Sequence, residues 1–425
     1  MLAKSHFESI PIENIKIILE YLPLKNFINA ETVSKFFMNI IRTSTWNRKL
    51  TLTSMNEFDH AKNYKFKRYS LSGNITNENI ESLEHSKSLE LINCQNITNY
   101  KGMSTLTNLT KLDMSVCNSI TGKCFRNLAG LTWLKLYECN AITDTYFKYM
   151  TKLTKLNINR CANITNSNLG LLTNLNDLSI MCSDHVLNEN IQVFTNLYSL
   201  DLYDCNSITD DILKFLTNLN KLDLRKCDKI KYENLNLLGK LRRLNISSSN
   251  ITNSIVESLK CCTDISSLNL SGNDKITDEI SECLGNLTNL NNLYLDFCYK
   301  ITDKILESVN TNKLRCLSLQ YCTNITGTNL KFFINLRYLD LGYCGKITDE
   351  VVQSITNCSE LQTLFLDGND EITFISVLFL ESCVKLKELY VYDCTNITRA
   401  GVKLLQKHNK LKFVIGGYQD ESDSD

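Results

Sequence analysis

The chain has 425 residues, 43% of them hydrophobic, and its 46 Lys and Arg balance 46 Asp and Glu to a formal net charge of zero. That balance favours neither nucleic acid nor an anionic membrane as a partner, and no apolar run approaches the length of a bilayer span. Both prolines, Pro11 and Pro23, fall in the first 25 residues, a composition break that sets the N-terminus apart.

Residues 1–20 scatter Lys4, Glu8, Glu13, Lys16 and Glu20 among apolar positions, leaving no uninterrupted stretch for a secretory signal. Within 7–50, Ile15, Ile18, Leu19 and Leu22 follow helical spacing, and Pro23 marks the end of that helix. A second helix is expected from about Lys25, including Phe27 and Ile28, and a third from about Thr32 to Ile41. A unit below roughly 60 residues is marginal by itself. Some of its apolar surface must therefore meet another protein or the chain that follows.

The Ile10-Pro11 pair, the I-x-x-Y-L-P-L turn ending at Leu24, the V-S-K-F-F segment at 33–37 and the downstream Trp46 together resemble an F-box. Ile10 stands where that family more often has Leu, and Phe37 where Trp is frequent; both remain apolar and of similar bulk. The resemblance implies docking on the adaptor subunit of a cullin–RING ubiquitin ligase. It assigns Ile10, Pro11, Ile15, Ile18, Leu22, Val33, Phe37 and Trp46 to forming or supporting that surface. The F-box-like module is placed at 1–50, and residues 51–65, with Asp59, His60, Lys62 and Asn63, are expected to be a polar connector.

From Phe66 to about Gly417 the chain repeats. Leu219, Leu222, Leu224, Cys227 and Ile230 stand at offsets that recur at Leu197, Leu200, Leu202, Cys205 and Ile208, and at Leu153, Leu156, Ile158, Cys161 and Ile164. Cys117, Cys139 and Cys161 lie 22 residues apart, and from Ser249 the spacing loosens, to 24 at Asn273 and then 25 at Cys298. Fifteen such marks are in register, from Asn74 to Cys394. This is a leucine-rich repeat with Cys where many repeats carry Asn, and with the head it resembles the F-box/leucine-rich-repeat proteins. Ten of the eighteen cysteines occupy the mark, and Asn or Ser replaces them at Asn74, Ser183, Ser249, Asn273 and Asn369. The position therefore needs a small hydrogen-bonding group, not a disulfide. Reduced thiols imply a cytoplasmic or nuclear protein. The N-x-[ST] sequons follow from the repeat's own N-I-T wording and say nothing about glycosylation.

Each repeat reads as a strand followed by a short helix. Leu222 and Leu224 point inward while Lys221, Asp223 and Arg225 point out. In I-T-D-D, Thr209 is expected to cap a short helix whose positive end suits Asp210 and Asp211. The expected fold is α/β: a leucine-rich-repeat solenoid, a horseshoe with a parallel concave sheet and short convex helices, preceded by the three-helix module. A weaker terminal strand is expected near Leu411–Val414, and the acidic tail 418–425 should be disordered. Residues 181–190 lose the I-T, which reads as a decayed convex segment or, less simply, a bend or contact at His185.

The chemistry of an enzyme is missing. The five histidines are scattered, with no H-E-x-x-H and no zinc spacing, and there is no phosphate loop or nucleophile elbow. Cys261-Cys262 is the only adjacent cysteine pair, and a column of buried thiols is a packing ladder. No metal or other cofactor is expected. Binding is expected on the concave face instead, where Tyr294, Asp296, Tyr338, Asp340, Phe365, Asp367, Tyr390 and Tyr392 gather in the C-terminal third. Aromatic anchors dominate interface energies, and the carboxylates beside them suit a protein substrate bearing Lys or Arg. A smaller patch combines Trp133, Lys135 and Tyr137 with Lys111 and Lys155. The function expected is that of a non-catalytic substrate receptor binding an adaptor and a substrate protein, with no nucleic-acid or membrane partner. The alternative is a repeat scaffold without a ligase role, its head serving as a cap.

Overall fold

Pro11 opens helix α1 (Ile12–Tyr21): it has no N–H to satisfy, and its carbonyl accepts from the Asn14 and Ile15 amides. Pro23 forces Leu22 into an extended conformation, which ends α1, and α2 (Leu24–Val33) begins directly after it. Ser34 Oγ accepts from the Phe37 amide at 3.2 Å and caps α3 (Lys35–Thr43), so the third helix starts later than its apolar spacing predicts. The structure, a computed structural model, describes residues 10–98, 100–165, 168–397 and 413–415, without the side chains of Tyr100, Val256 and 413–415. The acidic tail expected at 418–425 lies outside the described residues.

The polar connector expected at 51–65 is instead part of a coil. Strand β1 (Thr45–Leu52) pairs in parallel with β2 (Lys65–Ser72), and α4 (Met55–Ala61) joins them. The sequence signal was a capping box: Ser54 Oγ accepts from the Glu57 amide while Glu57 accepts from the Ser54 amide. Phe58 and Ala61 turn inward from this helix. Trp46 therefore belongs to the first strand of the sheet as well as to the helical head.

The chain divides into two compact units, Met1–Phe194 and Thr195–Asp425. In the first, β2 is followed by β3 (Ser88–Ile92), β4 (Lys111–Ser115), β5 (Trp133–Tyr137), β6 (Lys155–Asn159) and β7 (Asp177–Met181), each parallel to the one before. The second runs from β8 (Ser199–Asp201) and β9 (Lys221–Asp223) through β10 (Arg243–Asn245), β11 (Ser267–Asn269) and β12 (Asn292–Tyr294). It continues with β13 (Cys316–Ser318), β14 (Tyr338–Asp340), β15 (Thr363–Phe365) and β16 (Glu388–Tyr390), to which β17 (Phe413–Ile415) adds. Register is fixed by the leucines: Leu112, Leu134, Leu156 and Leu178 are cross-strand neighbours, as are Leu293, Leu317, Leu339 and Leu364. A slip of one residue would turn every one of them to solvent.

The mark position does the work its chemistry predicts. Cys227, Cys322, Cys344 and Cys394 donate Sγ–H to the carbonyls of Leu202, Leu295, Leu319 and Leu366, one coil earlier. Ser249 Oγ does the same to Leu224 at 3.0 Å, and Asn369 Nδ2 to Leu341 at 2.8 Å. Asn273 also accepts, through Oδ1, from the Ser249 and Ile251 amides. The residue just before each of the fifteen marks has a positive φ, from Gly73 to Asp393, whatever its side chain. In the decayed repeat Val186 fills the slot of the missing Ile and is buried, while His185 is exposed.

The return segments are short helices, but of two kinds. From Cys117 on, repeats of 22 residues return through 3-10 turns such as Asp144–Tyr149, Asp210–Phe215 and Leu330–Phe332. Repeats of 24 or 25 contain α-helix, as at Lys304–Ser308, Asp349–Ile355 and Phe374–Leu380. A 3-10 turn rises about 2.0 Å per residue against 1.5 Å for an α-helix, so it covers the same return with fewer residues. The four-residue α-turn at Asn188–Ile191, in the decayed repeat, is the exception.

Candidate interaction surfaces

The eight head residues singled out in the sequence separate into three groups. Ile15 and Trp46 are buried and hold the head together; Trp46 Nε1 donates to the Ile41 carbonyl at 2.9 Å and its ring meets Phe27 edge-on at 4.8 Å. Pro11, Ile18 and Val33 are exposed, Val33 by 69%. Ile10, Leu22 and Phe37 lie between these extremes. Ile12, Ile17, Tyr21 and Ile28, outside those eight, are exposed as well, Tyr21 by 87%. Helix α1 is therefore apolar on two sides. Ile15 and Leu19, one turn apart, face the interior, while Ile17, Ile18 and Tyr21 face out.

The interior side of the head is sealed against the first coil. Phe27 contacts Trp46, Tyr64 and Phe66, and Phe66 meets Tyr69 edge-on at 6.1 Å. Tyr64 Oη donates to Glu31 at 2.5 Å. Beside this seam lies a cavity of about 270 Å³ walled by Leu24, Ile28, Leu50, Leu52, Tyr64 and Phe66.

The second surface is the open face of the sheet, the side its return segments leave uncovered. In the first unit each carboxylate on that face has a cation beside it: Lys49 on Glu90, Lys135 on Asp113 at 3.1 Å and Lys155 on Asp177 at 3.0 Å. The patch of Trp133, Lys135, Tyr137, Lys111 and Lys155 is thus largely neutralised from within.

The C-terminal set differs. Phe365 stacks on Tyr390 with centroids 4.0 Å apart and planes within 5°, and Tyr338 leans on Phe365 at 5.4 Å. Tyr294, on β12, shares the register row of Phe365 and Tyr390, with Ser318 and Asp340 between. Asp296 accepts from Ser318 Oγ at 2.5 Å, the Gln320 amide and Ser271 Oγ; Asp340 accepts from the Gly342 amide; Asp367 accepts from the Tyr392 amide. All these donors are neutral, and among the described residues no Lys or Arg reaches any of the three within ion-pair distance. Asp340 is only 7% exposed. Burial, with the charges of Asp296 and Asp367 adding to it, pushes its pKa up to about 6. Burial also raises Asp367.

A further ladder was not legible from the sequence. Phe297, Tyr321 and Tyr343 occupy the positive-φ position of successive coils and stack at 4.7 and 4.6 Å. The Tyr343 ring then covers Gly368, where a Cβ would lie 2.1 Å from it, and its hydroxyl donates to Asp393 at 2.8 Å. The only sequence hint was glycine at the same phase, at 73, 272 and 368. Among the described residues no three His, Cys, Asp or Glu side chains are placed to hold a metal, and no helix is long and apolar enough to cross a membrane.

Comparison with known proteins identifies both parts of the chain. Residues 7–49 match the F-box domain, and 240–260, 261–285 and 334–355 match the Leucine Rich repeat. No curated protein matches the chain. Among solved structures, that of a TLR13–ssRNA13 complex is similar at a TM-score of 0.54 and 18% identity, over 86% of this chain and 59% of that one. An internalin (inlF) from Listeria monocytogenes is similar at 0.43 and 21% identity, covering 97% and 95%. The yeast Rad7 and Elc1 complex is similar at 0.47 and 19%, covering 85% and 88%. At these identities the likeness speaks to fold alone.

Proposed function

We propose that this chain, an F-box/leucine-rich-repeat protein by the order of its two matched domains, is the substrate receptor of a cullin–RING ubiquitin ligase. The observation that supports this most is the second apolar side of α1. A head serving only as a cap would need one apolar side, and Phe27, Ile15 and Trp46 already supply it. Ile17, Ile18 and Tyr21 then form an exposed apolar patch of the kind that marks a protein interface. Pro11 and Val33, exposed on the same module, extend the apolar surface on offer to the adaptor, with Ile10, Leu22 and Phe37 at its margin and Ile15 and Trp46 supporting it from beneath.

The repeats would hold a substrate protein on the open face of the sheet, at Tyr294, Asp296, Tyr338, Asp340, Phe365, Asp367, Tyr390 and Tyr392. The chain performs no bond-making step in this scheme. It raises the effective concentration of substrate lysines at the ubiquitin-loaded enzyme, which converts an encounter in solution into one within a complex.

The test is co-purification of the adaptor with the full chain and with an Ile18→Glu, Val33→Glu double variant. Both side chains point to solvent, so the variant should fold normally and lose the adaptor. Undiminished adaptor recovery with the variant would leave the cap as the head's only role.

A further inference from the structure

The open face of the C-terminal unit is polarised across its width. Its carboxylates stand toward the ends of the strands: Asp296 and Asp367 two residues before their marks, and Asp340 four before. Its cations stand on the rim, just before the strands begin. Arg242, Arg315 and Arg337 occupy one position, seven residues before their marks. They belong to one in-register column: Arg337 N donates to the Arg315 carbonyl, and Arg315 N to Asn291. Arg242 and Arg315 share with Lys313 a shallow depression of about 530 Å³.

These two rows do not neutralise each other. Five residues of strand, at about 3.3 Å each, separate the cations from Asp296 and Asp367 by roughly 17 Å. On the cationic side the nearby acids are Asp264, which lines the depression, Glu388, which opens β16, and Glu360, which pairs with Lys385 at 2.5 Å and is also held down by the charges of Arg337 and Arg315. On the acidic side only neutral groups donate. The ring of Tyr338 lies between the rows, and those of Phe365 and Tyr390 stack in the register row of Asp340. The first unit handles the same problem in the opposite way, with a lysine beside each open-face carboxylate. Unpaired charge is therefore not a general feature of this sheet.

We propose that this face binds an amphipathic helical segment of a partner protein, with Lys or Arg along the edge over Asp296, Asp340 and Asp367 and acidic residues along the edge over Arg242, Lys313, Arg315 and Arg337. The inference deepens the substrate-receptor reading and rests on it. A helix with its side chains is about 10–12 Å across, which fits between the rows and leaves its flanking charges in reach of both. Its central apolar stripe would rest on the rings, where cations at the stripe's margin also gain from the aromatic faces. The rows extend over β10–β15, five strand spacings of about 4.8 Å or roughly 24 Å, which is the length of about 16 helical residues.

The test uses the full chain and two fluorescent 20-residue peptides of identical composition, read by anisotropy at 50 and 300 mM salt. One carries Lys on one helical edge, Glu on the other and Leu and Tyr between. The other mixes Lys and Glu on both edges. The segregated peptide is expected to bind at least tenfold tighter than the mixed one. It should lose that advantage with Asp296→Asn, Asp340→Asn, Asp367→Asn together, and separately with Arg242→Gln, Arg315→Gln, Arg337→Gln. Thermal melts of both triple variants establish that they remain folded. Equal affinity for the two peptides, or a preference that survives either triple variant, overturns the inference. Retention of a defined substrate by the triple variants, once one is identified by affinity purification, would overturn it too while leaving the receptor reading intact. Failure of adaptor binding would instead remove the receptor reading and leave the peptide result standing.

Discussion

Asp340 carries a charge that the fold itself disfavours. Burial raises its pKa to about 6. The folded chain thus binds a proton more tightly there than the unfolded chain, whose carboxyl titrates near 4. Below about pH 4 the group is protonated in both states and costs nothing; as pH rises from 4 to 6 the folded state loses stability. Asp340→Asn, which keeps an acceptor for the Gly342 amide, should therefore raise the melting temperature at pH 7.5, by an equivalent of about 2 kcal/mol. The gain should disappear at pH 4, and melts at the two pH values check it. If the same replacement also weakened the proposed peptide binding, the residue would be one kept at a cost in stability for a partner. The thiols show the opposite case. Burial pushes Cys227 up to about 11 and Cys344 up to about 12, so they should resist thiol reagents in the native chain. Cys261 is the exposed cysteine among the described residues, with Cys182 and Cys316 half-buried. A native labelling time course should show one fast thiol, two slower ones and the remainder only in denaturant. Substitution at the mark by Asn and Ser made this legible in the sequence. The positive φ one residue earlier was hidden, because Val116, Phe297 and Arg160 adopt it against their intrinsic preference. Gly368→Ala, at φ +63 and against the Tyr343 ring, should lower the melting temperature and unstack that tyrosine.

At the scale of the element, the I-T-D wording located the return helices but misassigned the bonds that hold them. Asp was expected to serve its own helix end, yet its main partners lie one coil later. Asp278 accepts from the Thr302 amide at 2.8 Å and from its hydroxyl at 2.7 Å; Asp349 accepts likewise from Thr373 and also from Ser376. Asp303 takes the Thr326 and Gly327 amides and the Thr326 hydroxyl. A single repeat shows only that Asp follows Thr. That the pair closes between repeats requires the superhelical stacking distance, which no local pattern contains. The staple makes a definite prediction. At Asp349 burial alone would raise the carboxyl, but the donors from Ser376 and Thr373 together outweigh it and hold it below the usual range. Its stabilisation is present above about pH 4 and fades as pH falls below that. Asp349→Ala should cost about 2 kcal/mol at neutral pH, since it strands several donors of a charge-assisted set, and less at pH 3. Chemical denaturation at the two pH values measures the difference. The repeat length, by contrast, was open to inspection from the start. The step from 22 to 24 or 25 residues is where 3-10 turns give way to α-helix.

At the scale of the whole molecule, the head was read as a module ending at 50, close to the F-box match at 7–49, but the first strand of the sheet runs across that boundary. Strand β1 begins at Thr45, pairs with β2 and places Trp46 under Phe27. Cutting at 50 removes a strand of the sheet along with three helices, so loss of function in such a truncation would not separate docking from collapse. Point changes on the two sides of the head do separate them. Phe27 is completely buried and touches Trp46, Tyr64 and Phe66. Phe27→Ala should cost about 3–5 kcal/mol, with a red shift in the emission of Trp46 as water reaches the seam. Trp133, the other tryptophan, is already half-buried and should report little change. Ile18→Glu changes an exposed side chain and should leave both melting temperature and emission within error while abolishing adaptor recovery. The two variants thus dissociate cap from clamp in one chain. If Ile18→Glu also red-shifted Trp46, the outward side of α1 would be packed in solution and unavailable to a partner; if Phe27→Ala left the emission unchanged, the seam would not be closed by the contacts that define it.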